Sequence, residues 1–111
     1  MDTDFTLERI RELNDEARRH FTDGRVVLTR GIALLPEKEQ AEIIERVCKF
    51  EDFTPDNDPY GEHDFGAFEY NGERIFWKID YYDLNMEFGS ENPADPTKTL
   101  RVLTVMLAEE Y

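Results

Sequence analysis

Asp58, Glu62, His63 and Asp64 fall within the nine-residue stretch DPYGEHDFG, residues 58–66. Carboxylates beside an imidazole are ligands for a divalent ion such as Mg²⁺ or Mn²⁺, and equally groups that can move a proton. An EF-hand-like alignment puts Asp56, Asp58, Gly61 and Asp64 at positions 1, 3, 6 and 9. Tyr60 and Ala67 then occupy positions 5 and 12, where ligands are required. A looser arrangement makes Glu62, His63 and Asp64, with Asp83, the centre of a metal-binding domain or small metal-dependent enzyme. The plainer reading is a reverse turn over Asp58–Gly61 that feeds a hairpin, with His63 hydrogen-bonded nearby.

Other routes to chemistry are thin. Ser90 is the single serine and lies in GSEN, outside the strand-turn-helix setting of a nucleophile elbow. No glycine-rich phosphate loop is present. Cys48 sits among hydrophobic residues with Lys49 as its only adjacent base, which reads as core and not as a nucleophile. No catalytic residue, metal ligand set or cofactor is assigned on these grounds.

A third constellation joins acids with aromatics, GEHDFG on one side and WKIDYYD on the other. Asn71-Gly72 lies between two aromatic-rich runs and calls for a two-residue type I′ hairpin. That turn sets Tyr70 opposite Glu73, Glu69 opposite Arg74, Phe68 opposite Ile75 and Gly66 opposite Trp77. Asp64 then neighbours Ile79, so Glu62, His63, Asp64, Asp80, Tyr81, Tyr82 and Asp83 meet at the end of the hairpin away from its turn. Tyrosines suit interfaces, and carboxylates select a basic partner. Display of charge to a partner is favoured over catalysis.

The remaining elements must hold that hairpin. Leu7, Ile10, Leu13, Ala17 and Phe21 form the apolar stripe of a helix over 6–21, with Arg18 and Arg19 expected on its solvent side and an Asp15–Arg19 pair. Asn14 falls inside the stripe, where a hydrogen bond to nearby backbone is expected. TDG ends this helix, with Gly24 placed for a left-handed cap. RVVLTRGI reads as a strand with Gly31 as a bulge, and Pro36 opens a second helix burying Ile43, Ile44, Val47 and Cys48. On the hairpin, Phe68, Tyr70, Ile75, Trp77 and Ile79 share the core face. A short strand is expected at Met86–Phe88. Asp95-Pro96 reads as the start of a last helix to Glu110, burying Leu100, Leu103, Met106 and Leu107. With Val102 and Val105 on its other side, that helix is either central or shared with a second chain as a homodimer. The order α-β-α-β-β-(β)-α predicts one α+β domain: a small antiparallel sheet built round the hairpin, with about three helices packed on it.

Charge narrows the partners. The 111 residues carry 26 acids and 13 bases. Residues 1–50 hold 11 acids and 9 bases, whereas residues 51–111 hold 15 and 4. Between Glu51 and Glu73 there are eight acids and no Lys or Arg. Such a surface repels phosphate, so direct nucleic-acid binding is disfavoured and a basic protein surface is the natural partner. Solubility alone is the other use of this acidity. No apolar run approaches the ~20 residues of a membrane span. MDTDFTLERI lacks the features of a signal peptide, and a single cysteine fits a reducing cytoplasm.

GRVVLTRGI, NDPYGEHDFGAF, IFWKIDYYD, GSENPADP and RVLTVMLAEEY together resemble a bacterial family of small proteins known as a domain of unknown function. The resemblance covers nearly the whole chain. It implies a bacterial cytoplasmic protein, often on plasmids and other mobile elements, with an accessory or anti-defence role. Three expectations result. The first is a non-enzymatic acidic module that inhibits or modulates a nucleic-acid-handling protein, of restriction or CRISPR type, by nucleic-acid mimicry. The second is the metal-dependent alternative at Glu62, His63 and Asp64. The third is a solvated domain whose last helix self-associates.

Overall fold

A computed structural model describes residues 3–21 and 24–111. Helix α1 spans Thr3–His20, strand β1 Gly24–Leu28, the single turn α2 Arg30–Ala33 and helix α3 Glu37–Cys48. Strands β2 (Phe65–Tyr70), β3 (Glu73–Tyr82) and β4 (Leu100–Leu107) come next, closed by a 3₁₀ turn at Ala108–Glu110. The strands form one mixed sheet in the order β1-β4-β3-β2. The architecture is α+β, with three helices against a four-stranded sheet.

β2 and β3 pair antiparallel with Tyr70 opposite Glu73, Phe68 opposite Ile75 and Gly66 opposite Trp77. Asn71 (φ 50°) and Gly72 (φ 82°) both hold the left-handed conformation that a two-residue connection of this twist requires. One face of the sheet is the core. Ile75, Trp77 and Ile79 of β3 lie beside Leu103 and Val105 of β4, covered by Ile32, Ile43, Val47 and Phe50 from the helical side. Trp77 is fully buried, and its indole lies so close to Gly66 that a Cβ there would collide with Nε1. The other face carries Phe65, Phe76, Lys78 and Asp80, with Tyr111 folded back so that its ring stands 5.7 Å from that of Phe76.

The largest departure from expectation is the C-terminal segment. Leu100–Leu107 is not a helix but an inner strand, parallel to β1 and antiparallel to β3. The sheet is therefore mixed and not purely antiparallel. An inner strand is buried on both faces, so its sequence is apolar nearly throughout, as a central helix would be. Val102, Leu103, Val105 and Met106 are all buried within the domain, so the apolar helix expected to serve a homodimer does not exist. Asp95-Pro96 opens a turn instead of a helix: the Asp95 carboxylate accepts the Thr97 N–H at 2.9 Å, and the Lys98 N–H reaches Asp95 O at 3.1 Å. Aspartate before proline suits either structure, and the pairing of residues 100–107 with β1 and β3 decides between them.

Smaller departures have local causes. Gly31 is no bulge but part of α2, where its N–H donates to the Glu110 carboxylate at 2.8 Å. The same carboxylate accepts the Leu107 N–H and the Thr29 hydroxyl, tying the C-terminal turn to α2. Those bonds hold the Glu110 carboxyl below its ordinary range. Of TDG, Thr22 and Asp23 lie outside the described residues. Gly24 opens β1, and the residue with left-handed φ after α1 is Phe21 (φ 53°). Met86–Phe88 forms no strand; only Gly89 makes an isolated bridge, to Tyr82. Asp15 pairs with Arg18 and not Arg19, which approaches Glu51 at 3.9 Å.

Arg18 reverses its expected place. Its side chain is fully buried, with the guanidinium 5.2 Å above the Trp77 ring and 5.4 Å from that of Phe53. It donates to the carbonyls of Val47, Cys48 and Phe50 at 3.0, 3.1 and 2.8 Å. A helix C-terminus leaves such carbonyls without partners, so Arg18 of α1 caps α3. Ile43 and Val47 are buried as expected, while Ile44 and Cys48 are half-buried.

Candidate functional site

The Asp58–Gly61 turn forms, with the Gly61 N–H bonded to Asp58 O at 3.0 Å. Asp58 also accepts the His63 N–H at 3.1 Å, which supports the left-handed backbone of His63 (φ 58°). The imidazole then points at α1: Nδ1 lies 2.9 Å from Asp15 Oδ1, and Nε2 lies 3.6 Å from Asp58 Oδ2. Its ring stacks on Phe53 at 3.8 Å, nearly parallel. His63 is thus held between two carboxylates and an aromatic ring.

Glu62 and Asp64 take different surroundings. The Tyr81 hydroxyl donates to Glu62 Oε1 at 2.7 Å and accepts from Asn14 Nδ2 at 2.8 Å. Asn14 also donates to Glu62 O and accepts from Arg101 Nε at 2.7 Å. Arg101 in turn reaches Pro93 O at 2.6 Å. Asn14 therefore bridges α1 to β3, β4 and the loop before β2, a longer reach than the nearby backbone expected of it. Burial and the bond to Glu62 raise the Tyr81 phenol well above its ordinary range. Asp64 O accepts the Ile79 N–H at 2.9 Å, which brings the two halves of the constellation together at the open end of the hairpin. The half-buried Asp64 carboxyl is raised, first by burial and then by the charge of Glu62.

Strand alternation divides the seven residues between two sides of that end. Glu62, His63, Asp64 and Tyr81 lie toward the helices. Asp80 and Tyr82 alternate to the other face, with Asp80 2.7 Å from Lys78 Nζ. Asp83 lies past the strand and accepts the Glu87 N–H at 3.0 Å. Glu62 and His63 are thus engaged by separate partners, and Asp83 caps a loop. Among the described residues, no three His, Cys, Asp or Glu side chains gather as ion ligands would.

Reading the sequence missed Asp15, Phe53 and Arg101 at this end of the molecule. Asn14 within an apolar stripe is the available signal, because a buried amide needs several partners. The partners themselves lie 48 to 87 residues away in sequence and carry no local mark.

The fold and this end of the hairpin define an acidic α+β domain in which a buried polar network holds the carboxylate of Glu62. The chain belongs to the family described as Protein of unknown function (DUF3768), which matches residues 28–110. No curated protein and no solved structure matches it. No helix among the described residues is long and apolar enough to cross a membrane.

Proposed function

We propose that this chain is a non-enzymatic, acidic protein-binding module of the bacterial cytoplasm, carried on mobile elements. It would occupy the phosphate-binding surface of a nucleic-acid-handling protein, such as a restriction or CRISPR effector, and inhibit it. One observation carries the reading. All four bases of residues 51–111 are committed within the domain: Arg74 to Glu69 at 3.1 Å, Lys78 to Asp80 at 2.7 Å, Lys98 to Glu91 at 3.7 Å, and Arg101 to Asn14 and Pro93. With 15 acids against these four bases, the half carries a net negative field, and Arg11 of α1 is a base from outside it that reaches the loop before β2, donating to Gly61 O at 2.6 Å.

B-DNA carries a charge about every 1.7 Å of its axis, so spaced carboxylates can stand in for a short run of phosphates. A protein that grips phosphate would be drawn to such a surface rapidly and with strong salt dependence. Half-exposed Tyr82 supplies apolar contact beside Asp80.

The test captures the partner on the immobilised protein from lysate of the native host at low salt, then measures its affinity with DNA as competitor. Replacing Glu62, Asp64, Asp80 and Asp83 by Gln or Asn should weaken binding by a factor on the order of 100 at low salt while the domain stays folded. Unchanged affinity in that variant, or failure of DNA to compete, rules out mimicry.

A further inference from the structure

At the opposite end of the hairpin, beside the Asn71-Gly72 turn, α2, α3, β3 and the C-terminal turn enclose a groove of about 420 Å³. That volume lies within the ~300–1,000 Å³ range of sites that take small groups. Its floor is apolar, formed by Leu35, Ile75 and Leu107, and Ile75 is fully buried. Glu39, Glu73 and Glu109 line it, and no Lys or Arg does. The alternation of β3 explains the one-sided charge. Glu73 shares the side of Ile75, whereas Arg74 turns to the other face and pairs with Glu69. Tyr70 forms a wall, its ring fixed by a hydroxyl bond to Glu42. Glu110 is spent on α2 and does not compete for the role of Glu109.

We propose that this groove is a docking site for an arginine side chain presented by a protein partner. Three properties select that occupant. The apolar floor accepts the aliphatic stem, the aromatic wall accepts the flat face of a guanidinium, and carboxylates from three separate elements accept its diverging N–H donors. A lysine would satisfy the charge but neither the plane nor the fork. The site does not rest on the mimicry reading, which concerns the far end of the hairpin, and it is testable without any partner.

The probe is N-acetyl-arginine N-methylamide, titrated into the ¹⁵N-labelled full chain, with the uncharged citrulline analogue alongside. Saturable shifts confined to Leu35, Tyr70, Asn71, Ile75 and Leu107 are expected, with a dissociation constant of order millimolar for a single side chain. Citrulline should produce none. Glu39→Gln with Glu73→Gln and Glu109→Gln should weaken the probe by about tenfold or more. Glu8→Gln with Glu12→Gln and Glu16→Gln removes equal charge from the exposed side of α1 and should change nothing. Shifts scattered over every acidic surface, equal binding of citrulline, or equal weakening by the α1 variant would each overturn the proposal. Spermidine displacing the probe from the same residues at lower concentration would assign the groove to a free polyamine and also overturn it.

Discussion

Replacing Arg18 with methionine isolates the least expected contact in the domain. The substitution keeps most of the aliphatic volume but removes three donated bonds, to Val47 O, Cys48 O and Phe50 O, and the 3.0 Å pair with Asp15. A buried carbonyl left without a donor costs roughly 1–3 kcal/mol, but Val47 O keeps the Phe50 N–H at 3.3 Å and carbonyls sharing one end of α3 will not lose independently. Breaking a buried charged pair by removing one partner costs about 3–5 kcal/mol. Asp15 keeps His63 as a neighbour and is partly exposed, which moderates the loss on its side. About 4 kcal/mol is expected, against a total of ~5–15 kcal/mol for a domain. Urea unfolding followed by Trp77 fluorescence reads it directly, since the only tryptophan lies beneath the guanidinium. Arg18→Lys should recover a minority of the loss, because a single ammonium on a shorter side chain cannot replace both Nη1, which serves the three carbonyls, and Nη2, which pairs with Asp15. In a double-mutant cycle with Asp15→Asn, the coupling should be smaller than the loss in Arg18→Met, with the remainder belonging to the cap of α3. A loss below about 1 kcal/mol for Arg18→Met would show that water can replace the guanidinium, and the capping role would fall.

Trp77→Ala empties a fully buried site and should cost roughly 3–5 kcal/mol in urea unfolding read by circular dichroism; a change near zero would contradict its burial. Asp64→Asn should raise the melting temperature at pH 7. The Asp64 carboxyl is raised in the folded state, so its ionisation opposes folding as pH climbs from the unfolded value of about 3.9 through the folded one. Below about pH 3.5 both states hold the proton and the variant should match the parent. A lower melting temperature for Asp64→Asn at pH 7 would mean that the carboxylate makes a net stabilising contact.

The parts of the fold legible in the sequence are those fixed by local rules. Asn71-Gly72 carries its own backbone demand, and period-two alternation then assigns Phe68, Ile75, Trp77 and Ile79 to one face. Residues 100–107 lack such a rule. Apolar side chains on every side mark an inner strand as readily as a central helix, and only the placement of β1 and β3 on either side decides. Val102, Thr104 and Val105 are the available hint, since branching at Cβ favours a strand. Arg18 departs from expectation for a different reason. Ile10, Asn14 and Arg18 recur at intervals of four, so the spacing puts Arg18 on the buried stripe, while its charge argues for solvent. The carbonyls at the end of α3 resolve the conflict, and they lie some 30 residues away.

Asn14 and Arg101 are buried polar groups, and such groups persist in a small domain when every partner is satisfied. Their chain of bonds starts at Arg101 of β4, crosses α1 and ends at Tyr81 and the backbone and carboxylate of Glu62. Glu62 is consequently fixed by two elements rather than left as a mobile surface acid. The backbone of Asp64 is held by the bond from Ile79, and the His63 side chain by Asp15 and Phe53. Side chains ordered before a partner arrives lose less entropy on binding than free ones do. Acidity that served only solubility would gain nothing from such anchoring, because a mobile carboxylate is hydrated at least as well. The buried network converges on Glu62, the acid at the open end of the hairpin whose side chain is ordered in advance for the proposed role in recognition.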